Sequence, residues 1–256
     1  MDIKEKYNRL KEKYTELKDK YDNLKDEFKD IKEEIEKKNP KKTEKTIEEP
    51  STFLSNLKWR RSEKRFAPGW VNIKPIENAI INAPSSYGMQ PYHVFVIVDK
   101  ELLAKLSPAC YNQPQINDCH ALFVFCVYTD LEARMDQFID QTDGEKKRES
   151  ILNYMAALPT ALGWAKQQAY IALGYGLAAA SELKIASCPM EGFMPPKVAK
   201  VLKLKDDLEP CVLLAVGRHV SLGPINKKER EAFKEKIKDY KLEPRFRFKD
   251  IIERKS

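Results

Sequence analysis

Residues 60–65, RRSEKR, hold four cations, one hydroxyl and one carboxylate in six positions. Guanidinium groups match phosphate oxygens at two points and an ammonium adds a compact charge, so such a run suits an anion. A solvated surface, a nucleic-acid patch and a clamp for one small anion are all compatible with it. Two further segments offer polar groups close to apolar runs. APSSYGMQPYHVFVIV (83–98) sets two serines, a glycine and two prolines before a strand-like stretch. In SCPMEGF (187–193), a proline and a glycine present consecutive backbone N–H groups around Glu191, which reads as a turn.

Conventional catalysis finds little support. His93, His120 and His219 are far apart and none stands at metal-ligand spacing with a cysteine or carboxylate. There is no G-x-S-x-G elbow and no Walker-type glycine loop, and Cys188 precedes Pro189 in an expected turn. Gly174, Gly176 and Ala179 match G-x-G-x-x-A, but AKQQAYIAL before them continues as helix where a dinucleotide site needs a strand. Small residues inside a helix mark close packing instead. A chain this poor in acids, bases and nucleophiles at useful spacing favours a cofactor that brings its own chemistry.

The elements that must position these groups fall into three parts. Ile3, Tyr7, Leu10, Tyr14, Leu17, Tyr21, Leu24, Phe28, Ile31 and Ile35 alternate steps of four and three, the a/d stripe of a coiled coil over residues 1–38. NPKKTEKTIEEPST, within 39–52, is nearly devoid of apolar residues and reads as a linker. From residue 53 to 256 the pattern is globular. HVFVIVD (93–99), ALFVFCVYT (121–129) and CVLLAVGRH (211–219) read as buried strands, and the Ala-rich run 162–185 as a helix. Strands and helices are interspersed without a βαβ repeat, which predicts an α+β fold.

The net charge of +7 belongs wholly to the globular part, because residues 1–50 hold 15 basic and 15 acidic side chains. Five cysteines without a CxxC pair point to reduced thiols in a cytoplasmic setting, with Cys126 and Cys211 packed inside strands. MDIKEKYNRL lacks the apolar core of a signal peptide, and no run approaches the ~20 apolar residues of a membrane span.

RRSEKRF, APSSYGMQPYHVFVI, NQPQINDCHALFVF, QAYIALGYGLAAASELKIASCPMEGF, AVGRH and PRFRF occur in the order seen in one family. Over roughly residues 53–256 the chain resembles the FMN-dependent, oxygen-insensitive NAD(P)H nitroreductases. That resemblance implies an α+β domain with a mixed central sheet flanked by helices, in a homodimer with FMN in the interface. It implies NADH or NADPH as electron donor and ping-pong hydride reduction of nitroaromatics, quinones or similar electron-poor acceptors. Related members use the same fold for dehalogenation or flavin breakdown, and these stand as alternatives. A coiled-coil nucleic-acid-binding protein is the reading from another class, although RRSEKR lacks interleaved aromatics and any recognisable nucleic-acid fold motif.

By similarity, Arg60, Arg61, Ser62 and Lys64 form the amino-terminal flavin-binding run, Arg60 and Ser62 meeting the phosphate and ribityl end and Lys64 the ring near N1 and O2. Arg245 and Arg247 close on the phosphate from the far end of the chain. Pro84, Ser85, Ser86 and Gly88 come from the partner subunit and line the flavin edge. Asn112 bonds the ring or gates the nicotinamide, and Gln115 stands where some members carry a lysine. Pro189, Met190, Glu191 and Gly192 bring the Glu191 N–H to flavin N5. Tyr154 walls the substrate pocket. Within the clamp, Glu63 and Arg65 read as ordinary surface or packing residues.

Overall fold

The computed structural model describes residues 15, 18, 25, 52–142, 144–223 and 229–240. Chain contacts divide it into two units, 1–49 and 50–256. In the first, Thr15, Lys18 and Lys25 are helical and exposed. The heptad positions, and the linker up to Thr52, lie outside the described residues, as do Arg245 and Arg247.

In the second unit, four strands form one sheet: β1 (Tyr92–Ile97), β2 (Ala121–Tyr128), β3 (Ala186–Met190) and β4 (Leu208–Gly217). Their order is β1-β2-β4-β3 and every pairing is antiparallel. The α+β class holds, but the described sheet is antiparallel where a mixed one is expected. Its parallel contact is an isolated bridge between Ser62 and Ser187.

β2 is buried along nearly its whole length and alternates between two cores. Phe123, Phe125 and Val127 face one, while Leu122, Val124 and Cys126 face the other. Burial on both faces turns the strand into a continuous apolar run, which is why it is legible in the sequence. The first core is roofed by α2 (Lys74–Ile81), α5 (Leu131–Thr142), α6 (Arg148–Ala156) and α7 (Ala161–Glu182), following α1 (Thr52–Trp59). The second lies under α3 (Lys100–Leu106), α4 (Pro114–Asp118) and α8 (Pro195–Leu202), with α9 (Arg230–Ile237) completing the described helices.

α7 is the long Ala-rich helix. Thr160 caps its start, accepting the Gly163 N–H at 2.8 Å. The helix ends earlier than the expected 185, because Lys184 turns left-handed at φ 55°. Lys184 N–H then bonds Ser181 O and Ile185 N–H bonds Ala180 O, the double closure of a Schellman end. Both GYGLAA glycines lie within this helix. A Cβ on Gly176 would come within 3.1 Å of the Ile80 side chain, whereas one on Gly174 would meet nothing within 4 Å. Gly176 therefore lets α2 approach, and Gly174 opens outward.

One expected turn is a strand. Ser187–Met190, with Cys188 and Pro189, belongs to β3, and the turn begins only at Glu191. Pro189 is tolerated because β3 is an edge strand, where one row of N–H groups has no ladder to serve.

Candidate active site

The segment 60–67 runs from the end of α1 along the edge of β3 and is tied at both ends. Glu63 N–H donates to Ser187 O at 3.0 Å, and Ala67 N–H donates to Arg218 O at 3.1 Å. Phe66 is buried and anchors the segment over Gly217. Ser62 and Lys64 are left exposed on the outer side. Lys64 N–H donates to the Tyr240 hydroxyl at 3.0 Å, so the chain after α9 arrives beside this run a few residues ahead of Arg245. Arg61 folds back on its own helix end, donating to Lys58 O at 2.6 Å and Arg60 O at 2.9 Å. Arg65 pairs with Asp118, which also takes Lys236 at 2.7 Å, so its role is packing as expected.

Glu63 departs from the expectation of an ordinary surface or packing residue. It is 1% exposed, and its carboxylate accepts the Val220 N–H at 3.4 Å. His219 Nε2 stands 3.8 Å away, too far for a hydrogen bond. Burial pushes the Glu63 carboxyl up to about 7, with the Val220 hydrogen bond partly opposing it. Burial also lowers the His219 pKa. Nothing in RRSEKR marks which of its members turns inward, because the residues Glu63 meets, Val220 and His219, are remote in sequence.

The turn Glu191–Phe193 continues from β3 and is closed by Phe193 N–H to Glu191 O at 2.9 Å. Among the described residues the Glu191 N–H has no acceptor. The Glu191 carboxylate accepts the Tyr170 hydroxyl of α7, a partner the sequence does not point to. Opposite, Gln113 donates to Gly192 O at 2.6 Å, and Met194 N–H bonds Ala109 O at 2.8 Å. The loop that supplies Gln113 is wound tightly, with Tyr111 and Asn112 at φ 55° and 52°. Asn112 is exposed at this bend. Gln115 is buried at 3% exposure and donates its amide N–H to Gln113 Oε1 at 3.0 Å.

Pro84–Gly88 and Tyr154 form a second cluster, held through α7. Ser86 N–H donates to the buried Gln168 Oε1 at 2.9 Å. Ser85 Oγ accepts Gln90 N–H at 2.9 Å, which leaves its hydroxyl hydrogen free to donate. Tyr87 and Gly88 take φ 58° and 79°. Tyr154 meets Tyr87 edge-on at 5.6 Å and Trp164 at 6.2 Å. The structure thus gathers Arg60–Lys64, Asn112–Gln115 and Pro189–Gly192 around β3, and Pro84–Gly88 with Tyr154 around α7. Gln113, Gln168 and Tyr170 carried no sequence signal, since only tertiary contact gives them work.

All five cysteines are free thiols, and burial raises Cys126 and Cys211 to about 12, which makes them poor nucleophiles. Among the described residues no three His, Cys, Asp or Glu side chains gather as a metal site, and no helix is long and apolar enough to cross a membrane.

A sequence model of the Nitroreductase family matches residues 57–218. An NADH dehydrogenase of Thermus thermophilus is 29% identical over 170 residues, covering 62% of this chain and 82% of that protein. An oxygen-insensitive NADPH nitroreductase of Helicobacter acinonychis is 27% identical over 150 residues, covering 54% and 71%. The fold matches that of a candidate nitroreductase in complex with FMN from Exiguobacterium sibiricum, with a TM-score of 0.62 at 19% identity over 79% of this chain and 97% of that one. With the match spanning the basic segment, β3 with its exposed turn and α7, the chain belongs to the nitroreductase family.

Proposed function

We propose that the chain is an FMN-dependent enzyme that takes hydride from NADH or NADPH and passes it, in ping-pong order, to nitroaromatics, quinones or other electron-poor acceptors. Family membership makes it an oxidoreductase. The NADPH nitroreductase and FMN-complex names of its relatives support the donor and the cofactor. The observation that carries the reading is the bridge between Ser62 and Ser187, which lays the basic run along the strand that ends in the Glu191–Gly192 turn.

The residues present suit FMN. A phosphate dianion matches Arg60 and Ser62, and the uncommitted N–H of Glu191 suits a ring nitrogen acceptor. FMN, when bound, supplies the two-electron hydride chemistry. Lys64 would hold positive charge beside the ring and favour negative charge there, and Arg245 and Arg247, outside the described residues, are proposed to reach the phosphate. Asn112 contacts the ring or nicotinamide, while Pro189 and Met190 set the approach of the turn.

Pro84, Ser85, Ser86 and Gly88 are assigned to the flavin of a partner subunit. Support for a homodimer comes from α7, which exposes Tyr170, Ile171 and Tyr175 around Gly174 in a groove of about 720 Å³ reaching Phe53 and Ala79. The coiled coil of residues 1–38 would add self-association. Unpaired thiols favour a cytoplasmic location.

Purified protein should be yellow with a flavin spectrum, and NADH or NADPH under nitrogen should bleach it rapidly. A flavin that neither nucleotide reduces would favour the dehalogenase or flavin-breakdown alternatives. Lys64→Met should lower the two-electron midpoint potential by about 45 mV, since one fixed cation at an effective dielectric of ~20 is worth roughly 2 kcal/mol. Spectroelectrochemistry reads the shift. Glu191→Gln should keep most turnover, because its amide oxygen still accepts from Tyr170, while Glu191→Pro removes the N–H and should lower kcat by about 100-fold or more.

A further inference from the structure

The Glu191–Phe193 turn is gripped by a side-chain relay from a loop 79 positions away in sequence. Gln113 Nε2 donates to Gly192 O at 2.6 Å and to Cys110 O at 3.1 Å, using both of its N–H bonds. Its Oε1 accepts Gln115 Nε2 at 3.0 Å. An inverted Gln113 amide would set its oxygen against two carbonyl oxygens and its NH₂ against the buried Gln115 donor, so the three partners together fix which way it faces. The fit is close: a Cβ at residue 192 would come within 3.2 Å of Gln113 Nε2, so glycine lets the amide reach the turn.

We propose that Gln113, oriented by Gln115, is a positioning residue for the flavin-facing backbone: it holds the Gly192 carbonyl and thereby sets the direction of the Glu191 N–H. The Gly192–Phe193 peptide is held on both sides, its carbonyl by Gln113 and its N–H by Glu191 O. That leaves Glu191 little freedom to rotate away. The Tyr170 bond fixes the Glu191 side chain but leaves the peptide plane unset, so the Gln113 relay does what Tyr170 cannot. Two successive left-handed residues, Tyr111 and Asn112, bring the loop into reach, a conformation that costs free energy and persists where surrounding contacts enforce it.

This inference rests on the FMN reading, and the experiment separates the two. The full chain is loaded with FMN labelled with ¹⁵N at N5, as wild type, Gln113→Met and Gln115→Glu. Gln113→Met keeps the length and loses the donors; Gln115→Glu keeps the shape and turns the orienting donor into an acceptor. Both should move the N5 resonance and slow flavin reduction by NADPH about tenfold or more, with FMN affinity within about threefold of wild type. Gln115→Lys, which restores a donor to Gln113 Oε1, should return the resonance towards its wild-type position. Hydrogen exchange of the FMN-free proteins gives a second readout, the Phe193 N–H exchanging about tenfold faster in the first two variants. An unmoved N5 resonance and unchanged Phe193 exchange overturn the relay. Wild type that binds no FMN overturns the FMN reading itself, and the relay with it.

Discussion

At pH 8, Glu63→Gln should melt several degrees above the wild type, and the gap should close towards pH 5. Glu63 is buried, with one long hydrogen bond and no cation in contact, so its folded pKa rises from 4.5 to about 7. The folded state then binds the proton more tightly than the unfolded chain does. Stability from this group is fully present below about pH 4.5 and is lost as pH rises through 7. The difference at pH 8 is about 3 kcal/mol, worth several degrees in a domain of this size. His219 slopes the other way: its lowered pKa costs stability as pH falls below 6.5, so the neutral amide at 63 isolates the carboxylate. Thermal melts of both proteins from pH 5 to pH 8 check this. A gap that stays constant across that range would mean that Glu63 is ionised in the fold throughout.

The second large effect is expected at Gly217. A Cβ there would lie 2.9 Å from Cδ1 and Cγ of Phe66 and 3.0 Å from its Cβ. Phe66 cannot retreat easily, being 1% exposed and followed by the Ala67 N–H bond to Arg218 O at 3.1 Å. Gly217→Ala must therefore lift the clamp segment off β4 or distort the strand end. Overpacking of this kind costs about 1–3 kcal/mol, and here it acts on the run that carries Arg60, Ser62 and Lys64. The expected result is a melting point lower by about 5–10 °C together with FMN affinity weakened about tenfold. Melting point and FMN affinity both unchanged in Gly217→Ala would defeat the steric account.

What the sequence discloses depends on how local the cause is. β2 is readable because burial on both faces makes each of its residues apolar. The extent of α7 is readable from its alanines, but its end is not. Lys184 supplies the left-handed residue usually left to glycine, and Leu183 and Lys184 look like more helix. β3 looks like a turn because it carries Pro189 and runs straight into Glu191 and Gly192, and only the strand order shows that its outer edge needs no N–H from Pro189. The antiparallel sheet is likewise invisible in a list of strands, since direction is a property of connections. At the candidate site the clamp and the PMEGF turn stand out through family resemblance. Glu63, Gln113 and Tyr170 do not, because each gains its role from residues remote in sequence.

Lys64 receives its backbone partner from Tyr240, 176 positions later. Arg65 likewise shares Asp118 with Lys236. A nascent chain grows at roughly 5–20 residues per second, so the first cationic residues would wait about 10–35 s for the helix that braces them. On the proposed FMN reading, cofactor capture would therefore be a late event in the life of each molecule. A truncation ahead of α9 would leave the sheet and both cores in place while depriving the clamp of its last support.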